Sequence, residues 1–279
     1  MISKSARALI RLALREDLGA RGDVTTKLFL PTLARLKGRI IAKQAGVVCG
    51  TEIAALVFKI VDQRAKISIL KRDGSRVRPG DAVMRLSGGR SLLTAERTAL
   101  NFLQRLSGVA TLTSAYAARL KGTRARIYDT RKTLPGWREL DKCAVRCGGG
   151  RNHRFGLYDA VLLKDNHWAE GTDIEAAVRK ARRRYPGIAV ELEAADLRQV
   201  ESALAAGADI VLLDNMSLAR LRRAIRFIRS WSPKTQIEVS GNVSLSTIRA
   251  IAKLGPDRIS VGRLTHSAPA LDLSLEISA

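Results

Sequence analysis

A repeating strand-and-helix pattern in the second half of the chain constrains the fold most strongly. From about residue 127 onward, short apolar, β-branched runs end in polar or charged residues, and a helix-like segment follows each run. Such strands are typical of a parallel sheet covered by helices, and polar strand ends are typical of an α/β barrel. The runs occupy residues 125–128, 160–163, 188–192, 210–213, 236–239 and 258–261. Because they are too few for a complete barrel, we expect an incomplete barrel or a further strand near residues 109–113.

The N-terminal part of the chain follows a different pattern. Turn signals such as Asp73-Gly74 separate strand-like runs, which predicts a small antiparallel sheet with helices. Apolar residues at helical spacing predict a helix that ends at Gly108 and links two domains. The strand-like runs are 36–42, 45–49, 66–70 and 82–86, and the helix is 92–106. We therefore predict an N-terminal domain at 1–110 and a second domain at 111–267. The C-terminal tail, 268–279, is expected to pack back on the first domain.

The formal net charge of +23 at pH 7 is unusual for a chain of this size. It suggests either a surface for nucleic acid or anionic lipid, or solvated arginine-rich helix faces that also attract anionic metabolites. The densest runs, 179–184 and 220–229, place cations at helical spacing without interleaved aromatic residues, and the aromatic fraction is only 4%. Bases stack on aromatic side chains, so we favour solvated faces and do not expect a nucleic-acid partner.

Three cysteines, Cys49, Cys143 and Cys147, are too few for a disulfide framework and indicate a reducing compartment. The N-terminus lacks the apolar core of a signal peptide, and no uncharged apolar run is long enough to predict a membrane span. We therefore expect a cytoplasmic protein. Cys143 and Cys147, with His153 nearby, could begin a metal site, but no fourth ligand follows at a suitable spacing, so we predict none there.

The residues that could carry chemistry are densest between 129 and 167, in loops around three consecutive glycines. Lone cations are costly to bury, whereas arginine offers a planar fork that matches carboxylates and phosphates. This group predicts a pocket for a small, multiply charged anion. Its cations are Arg131, Lys132, Arg138, His153, Arg154 and Lys164. His167 could either contact the anion directly or support the residues that do.

Two carboxylates, Glu193 and Asp214, end adjacent strands and should face the same mouth. They could hold Mg²⁺ through oxygen ligands, bind ribose hydroxyls, or pair with Lys164 or Arg131. Glu191 is expected to point to the other side of its strand, and we leave it out of the site.

The loops after the last two strands predict a phosphate site. Such loops commonly bind phosphate through backbone N–H groups in barrels, and glycine lets the backbone approach an oxyanion closely. Glycine ends many strands, so either loop alone is weak support, but the pair favours this interpretation. The candidate residues are Ser240, Gly241, Gly262 and His266.

Several of these segments resemble quinolinate phosphoribosyltransferases. The resemblance spans nearly the whole chain in order and is highly specific. It is carried by EDLG at 16–19, GDVT at 22–25, ERTALNF at 96–102, DTRKTLPG at 129–136, GGGRNHR at 148–154, LKDNH at 163–167, LDNM at 213–216, EVSG at 238–241 and SVGRLTH at 260–266.

This resemblance implies the type II phosphoribosyltransferase architecture: an N-terminal α/β sandwich followed by an incomplete, roughly seven-stranded α/β barrel. It implies a Mg²⁺-dependent reaction of quinolinate with phosphoribosyl pyrophosphate that yields nicotinate mononucleotide, pyrophosphate and carbon dioxide, as in de novo NAD biosynthesis. It also implies a homodimer or higher homo-oligomer with shared active sites.

The family's residue roles carry over to matching positions. Arg97, from the partner subunit, joins Arg131, His153 and Arg154 around quinolinate. Lys132 and Lys164 serve the phosphoribosyl pyrophosphate side, and Arg138 is expected to reach a neighbouring subunit's site. Lys164, Glu193 and Asp214 are the implied catalytic residues, with the two carboxylates facing ribose and, directly or indirectly, Mg²⁺; Ser240, Gly241, Gly262 and His266 hold phosphate.

Two alternatives stay open at this point. One is the molybdenum-transport-associated paralogue of the same fold, which has lost part of the motif set; the segments at 152–154 and 164–167 are intact here and favour the enzyme. The other is a basic nucleic-acid-binding protein on this scaffold, which a gel shift at physiological salt would detect.

Overall fold

The computed structural model describes residues 2–164 and 173–278, which group into two compact units. The first unit comprises Met1–Ser114, Thr133–Gly149 and Leu264–Ala279, and the second comprises Ala115–Lys132 and Gly150–Arg263. The first unit thus includes residues 133–149, which were predicted to lie in the second domain. The domain boundary near residue 110 remains a prediction. His167 lies outside the described residues.

The first unit contains a four-stranded antiparallel sheet. Its order is β12 (Leu273–Ser278), β1 (Leu36–Ala42), β5 (Ala82–Gly88) and β3 (Lys66–Ile69), while β2 (Gly46–Val47) and β4 (Arg76–Val77) pair separately. The N-terminal strand predictions are confirmed, although the run at 45–49 forms only a short strand. The chain's C-terminal strand, which the sequence pattern did not predict, pairs with β1 so that Leu275 lies opposite Ile40.

Helices of the first unit include α1 (Lys4–Leu18), α2 (Val24–Phe29), α3 (Thr51–Val61) and α5 (Arg138–Cys147). Local sequence explains where two of them begin. The Ser3 hydroxyl accepts a hydrogen bond from the Ala6 N–H at 3.1 Å, and Asp23 accepts one from the Thr26 N–H at 2.9 Å. Each side chain satisfies a backbone donor that has no partner within the helix.

The long helix α4 (Ser91–Arg119) corrects two predictions. It does not end at Gly108, and residues 109–113 are helical rather than a strand. Gly108 is needed for close packing: a Cβ there would collide with the Pro269 carbonyl and lie 2.9 Å from Ala270 Cα. The Thr113 hydroxyl donates to the Val109 carbonyl at 2.8 Å, a bond between successive turns that β-branched threonine makes within helices.

The second unit contains a parallel sheet of six described strands, which confirms the predicted α/β pattern. Four helices of this unit are α6 (Ile174–Arg184), α7 (Leu197–Ala205), α8 (Leu218–Trp231) and α9 (Ile248–Ala252), and the short α10 (Arg263–His266) follows the last strand. The sheet order is β6 (Arg126–Tyr128), β11 (Arg258–Ser260), β10 (Gln236–Ser240), β9 (Ile210–Asp214), β8 (Val190–Ala194) and β7 (Val161–Leu163).

A single residue occupies a seventh position beside β6. Arg151 forms an isolated parallel bridge with Tyr128, its N–H donates to the Ile127 carbonyl at 2.8 Å, and its carbonyl accepts the Asp129 N–H at 3.1 Å. Within the described ranges, the sheet therefore matches an incomplete barrel of about seven strands.

The arginine-rich runs lie on exposed helix faces. In α8, Leu221, Ala224, Ile225 and Ile228 are buried, and most of the intervening arginines are exposed. Arg229 is the partly buried exception and lies 2.6 Å from an Asp257 oxygen. Across the described residues, no helix is both long and apolar enough to cross a membrane.

Candidate active site at the strand ends

Strand register places the main predicted residues of the second unit on one face. Glu193 lies opposite Leu212, and Asp214 lies opposite Ser240. Residues opposite each other in a sheet share a face, as do residues two apart on a strand, so these three polar side chains point to the same side. Lys164 follows β7, and its Nζ lies 3.6 Å from Glu193 Oε2. The lysine, both carboxylates and the serine therefore meet at the C-terminal ends of parallel strands.

The prediction for Glu191 is wrong. Alternation separates adjacent residues, whereas Glu191 is two residues from Glu193 and shares its face. Its Oε2 lies 3.0 Å from His153 Nε2, and Glu238 Oε1 from β10 lies 3.3 Å from the same nitrogen. Both carboxyl groups are essentially inaccessible, with residue exposures of 1% and 0%. The histidine is thus held between two buried acids that the sequence pattern did not assign to the site.

The charge of His153 depends on opposing effects. Burial lowers the pKa of His153, but the hydrogen bonds and charges of Glu191 and Glu238 outweigh burial and raise that pKa to about 10. The Arg154 N–H donates to His153 Nδ1 at 2.8 Å, a contact that favours the neutral ring. Two carboxylates in a poorly solvated site outweigh one such hydrogen bond, so the imidazole is cationic at neutral pH.

The two acids also repel each other. Burial, and then the charge of Glu238, raise the pKa of Glu191, while His153 opposes that rise. Arg258 Nη1 lies 4.0 Å from Glu238 Oε2 and supplies a second cation. The buried acids are therefore paired with cations, as buried charges require.

Asp129 positions the loop that carries His153. It is fully buried, its Oδ1 accepts the His153 N–H at 2.9 Å, and its Oδ2 accepts a short hydrogen bond from Asn152 Nδ2. Because the strand β6 ends immediately before Asp129, the sheet fixes this carboxylate, which in turn fixes the loop. Asp129 contributes to the site by orientation, and the predicted site did not include it.

The guanidinium groups of Arg131 and Arg154 are close enough to interact electrostatically. Arg154 Nη1 donates to the Ala160 carbonyl at 3.2 Å. Burial and then the charge of Arg131 lower the pKa of Arg154. Nearby Lys132 is exposed, and its N–H donates to Thr130 Oγ1 at 3.0 Å. Like charges held together in a partly buried place suit an anionic ligand with several carboxylates or phosphates.

The loop after β10 requires an unusual backbone. Gly241 has a φ of +89°, and a Cβ there would lie 2.5 Å from Asn215 Cγ and 2.8 Å from Asn215 N. Asn215 and Asn242 also adopt left-handed conformations, with φ of +52° and +50°. Asn242 Nδ2 donates to Asn215 Oδ1 at 3.1 Å, and Asn215 Nδ2 donates to Asp214 Oδ2 at 2.6 Å. Such conformations cluster at binding sites, where surrounding contacts maintain them.

The remaining predicted residues divide between the units. Gly262 directly follows Val261, whose N–H donates to the Tyr128 carbonyl at 3.0 Å in the second unit. Three predicted residues belong to the first unit, so they are not part of the group that the second unit forms at its strand ends. They are Arg97, exposed on α4; Arg138, whose Nε donates to Thr133 Oγ1 at 3.2 Å; and His266, exposed at the end of α10, with Nδ1 2.6 Å from Ser267 Oγ.

Sequence reasoning missed a set of supporting residues. Acids inside apolar runs, such as Glu191 and Glu238, were a usable signal, because a charged residue in a buried strand needs a partner. Asparagine after a strand, beside glycine, was a signal for left-handed backbone. The missed residues are Asp129, Glu191, Asn215, Glu238, Asn242 and Arg258.

Both parts of the chain match models of a known family. Residues 109–276 match the family described as quinolinate phosphoribosyl transferase, C-terminal domain, and residues 23–107 match its N-terminal domain. The nicotinate-nucleotide pyrophosphorylase [carboxylating] of Mycobacterium leprae is 40% identical over 276 residues, which cover 98% of this chain and 97% of that protein.

Solved structures give the same result. The nicotinate-nucleotide pyrophosphorylase from Francisella tularensis has a TM-score of 0.93 and 40% identity, with coverage of 100% of this chain and 98% of that chain. The nicotinate-nucleotide pyrophosphorylase from Ehrlichia chaffeensis has a TM-score of 0.92 and 37% identity, with 99% coverage of each chain. The likeness therefore extends over essentially the whole described fold.

Proposed function

The chain belongs to the quinolinate phosphoribosyl transferase family, and we infer that it is the decarboxylating enzyme that makes nicotinate mononucleotide. It joins quinolinate to phosphoribosyl pyrophosphate and releases pyrophosphate and carbon dioxide. The observation that carries this conclusion is the common face of Lys164, Glu193, Asp214 and Ser240 at the strand ends, in a chain that matches both family domains.

We propose that Arg131, His153 and Arg154 bind the two carboxylates of quinolinate. The neighbouring guanidinium groups and the cationic imidazole favour a dicarboxylate over a neutral pyridine. Glu191, Glu238 and Asp129 do not bind substrate in this proposal. They hold His153 in place and keep it charged.

The phosphoribosyl pyrophosphate lies on the other side of the same mouth. Lys132 and Lys164 neutralise its phosphates, and Lys164 lies between the two substrates. The left-handed turn at Gly241, where a Cβ would collide with Asn215, presents backbone N–H groups to the 5′-phosphate. The proposed phosphate residues are Ser240, Gly241, Gly262 and His266.

The carboxylates of Glu193 and Asp214 fit a Mg²⁺ ion chemically. Both are oxygen donors on one face, at the rim where the pyrophosphate would lie. Lys164 near Glu193 and Asn215 bonded to Asp214 suit indirect contact, through water or ribose hydroxyls. When bound, Mg²⁺ would supply charge neutralisation for the pyrophosphate.

The reaction begins when the pyridine nitrogen attacks the anomeric carbon and pyrophosphate leaves with the bonding electrons. Alkylation makes the ring nitrogen cationic, so this positive charge stabilises the electron pair left on the ring carbon when the adjacent carboxylate departs as carbon dioxide. A proton from solvent then adds to that carbon and gives nicotinate mononucleotide. Lys164 stabilises charge between the substrates, and Arg131 with Arg154 orients the dicarboxylate. These arginines must not bind the ground state more tightly than the transition state, because such binding would slow decarboxylation.

We also propose a cytoplasmic homodimer or larger homo-oligomer with shared sites. The exposed position of Arg97 on α4 is suited to reaching a partner subunit, and Arg138 is proposed to do the same. The proposed domains are 1–110 and 111–267, with 268–279 returning to the first. The arginines of α8 lie mostly on an exposed helix face, which does not by itself favour nucleic-acid binding. The 152–154 segment is intact, which favours the enzyme over the molybdenum-associated paralogue.

Replacement of Lys164 tests this proposal. Lys164→Ala is expected to lower kcat for nicotinate mononucleotide formation by at least about 100-fold, because a group that stabilises transition-state charge is lost. The assay follows product from quinolinate and phosphoribosyl pyrophosphate. Lys180→Ala, which removes an exposed lysine from α6, should keep normal activity. Near-normal activity of a folded Lys164→Ala variant would contradict the assignment.

A further inference from the structure

The three cysteines of the chain meet in the first unit. Cys49 is far in sequence from Cys143 and Cys147, yet the Sγ atoms of all three lie within 4.8 Å of one another. Cys49 is 1% exposed and the other two are half-buried. From the sequence, His153 was considered as a companion of Cys143 and Cys147 and no metal site was predicted there, whereas the structure places Cys49 beside these two cysteines and His153 with two glutamates.

Backbone contacts hold the cysteines in this arrangement. Cys143 and Cys147 are four residues apart on α5, so their side chains share a helix face. The Cys49 N–H donates to Ser107 Oγ at 2.9 Å, and the Ser107 hydroxyl is 3.2 Å from the Cys49 carbonyl. Gly148 permits close packing where α5 ends, because a Cβ there would meet the Ala110 carbonyl and Thr113 Cβ. The sulfur atoms are therefore positioned by the fold rather than by flexible loops.

A carboxylate lies beside the cysteines. Asp73 Oδ1 accepts hydrogen bonds from the Thr51 N–H at 2.9 Å and the Thr51 hydroxyl at 2.7 Å. Its other oxygen, Oδ2, lies 3.8 Å from Cys49 Sγ. The carboxylate is thus oriented with one oxygen toward Cys49 Sγ, which makes it a candidate for a fourth donor that sequence spacing did not reveal.

We propose that Cys49, Cys143 and Cys147, with Asp73 as the fourth ligand, bind a zinc ion. Sulfur ligands at the zinc–sulfur bond length in a tetrahedron are about 3.8 Å apart, so the observed spacing needs only a small contraction. Each thiol loses its proton to solvent when the metal binds. A disulfide would join only two of the three sulfurs, whereas a metal ion would engage all three.

The direct test is metal binding by the reduced, full-length chain. The protein is stripped with a chelator under anaerobic conditions and titrated with Zn²⁺, and with Co²⁺ as a spectroscopic probe. We expect about one equivalent of zinc, since the cluster offers one set of four donors. Bound Co²⁺ should show thiolate-to-metal charge-transfer absorption and tetrahedral ligand-field bands. Zinc should also raise the thermal unfolding midpoint, because the ion links segments that are distant in sequence.

Variants assign the ligands. Cys143→Ser and Cys147→Ser are each expected to weaken zinc binding by more than about 100-fold, beyond the loss typical of an outer-shell change. Asp73→Asn should weaken binding and shift the cobalt ligand-field bands. Asp62→Asn is the matched control, because Asp62 also accepts one backbone N–H and one hydroxyl, from Arg64 and Ser91.

Two results would overturn the proposal. One is a reduced wild-type chain that binds no zinc at micromolar metal. The other is a disulfide involving Cys49 in protein alkylated directly on isolation from cells, because a sulfur in a disulfide cannot be a thiolate ligand. Binding by Asp73→Asn with unchanged affinity and spectrum would remove Asp73 from the proposed site.

Discussion

His153 lies between two buried carboxylates, and this placement decides its charge. Burial works against a cation, whereas the nearby oxygens of Glu191 and Glu238 work for it and prevail. The folded protein therefore holds a proton on this ring more tightly than the unfolded chain does. That difference links folding stability to pH.

Stability should fall as pH rises from near 6.5 to about 10, the unfolded and folded pKa values of His153. Within that window the unfolded chain has released the proton and the folded protein has kept it, so each pH unit lowers the free energy of unfolding by up to about 1.4 kcal/mol. Urea unfolding at several pH values measures this slope. His153→Gln should flatten it, and His266→Gln, which alters an exposed histidine, should not.

The sequence predicted the cationic half of the site better than its supporting half. Arg131, His153 and Arg154 stand out because several cations in loops have no use in a core. The meeting of His153 with Glu191 and Glu238 could not be read from spacing, because it depends on the register of three separate segments. The prediction for Glu191 was wrong at the level of the sequence itself, because residues two apart on a strand share a face and Glu191 is two residues from Glu193.

Helix α4 shows how packing overrides a local signal. Gly108 resembles the end of a helix, but the helix continues to Arg119 because backbone from Pro269 and Ala270 packs against the glycine. In an isolated helix, replacing glycine with alanine is favourable by about 1 kcal/mol. At Gly108, by contrast, the absence of a side chain is what allows the backbone of Pro269 and Ala270 to pack against the helix.

Gly108→Ala should therefore destabilise the protein despite its better helix propensity. A Cβ at this position would collide with backbone atoms, and such overpacking costs about 1–3 kcal/mol. Chemical denaturation measures the change in unfolding free energy. Asn101→Ala, on an exposed face of the same helix, should be neutral or slightly stabilising, and equal effects of the two substitutions would contradict the packing explanation.

Most elements were predictable because their patterns are local. All six described strands of the parallel sheet lie at predicted apolar runs. The C-terminal strand β12 was missed, since its pairing with β1 joins opposite ends of the chain. Of the two alternatives for the barrel, the further strand at 109–113 was wrong, because the β-branched residues there lie in a buried part of α4.

At the scale of the whole molecule, the proposed active site needs two subunits. The second unit groups the strand-end residues, whereas Arg97 is exposed on α4 in the first unit. A symmetric dimer that exchanges this arginine would contain two identical composite sites. The alternative arrangement has Arg97 acting within its own subunit.

Mixing two inactive variants distinguishes these possibilities. Arg97→Ala and Lys164→Ala, unfolded together and refolded, should regain roughly a quarter of wild-type activity, because half of the dimers carry one intact site. The assay is again nicotinate mononucleotide formation, with each variant refolded alone as the control. No recovery by the mixture would place Arg97 in its own subunit's site or outside the site.

The choice between quinolinate and nicotinate tests the central claim most directly. With phosphoribosyl pyrophosphate and Mg²⁺, the protein should convert quinolinate to nicotinate mononucleotide and release one carbon dioxide per product, measured with carboxyl-labelled substrate. Nicotinate lacks the carboxylate that the arginine and histidine group is proposed to orient, so it should give little product. Equal or faster product formation from nicotinate, without release of carbon dioxide, would contradict the account.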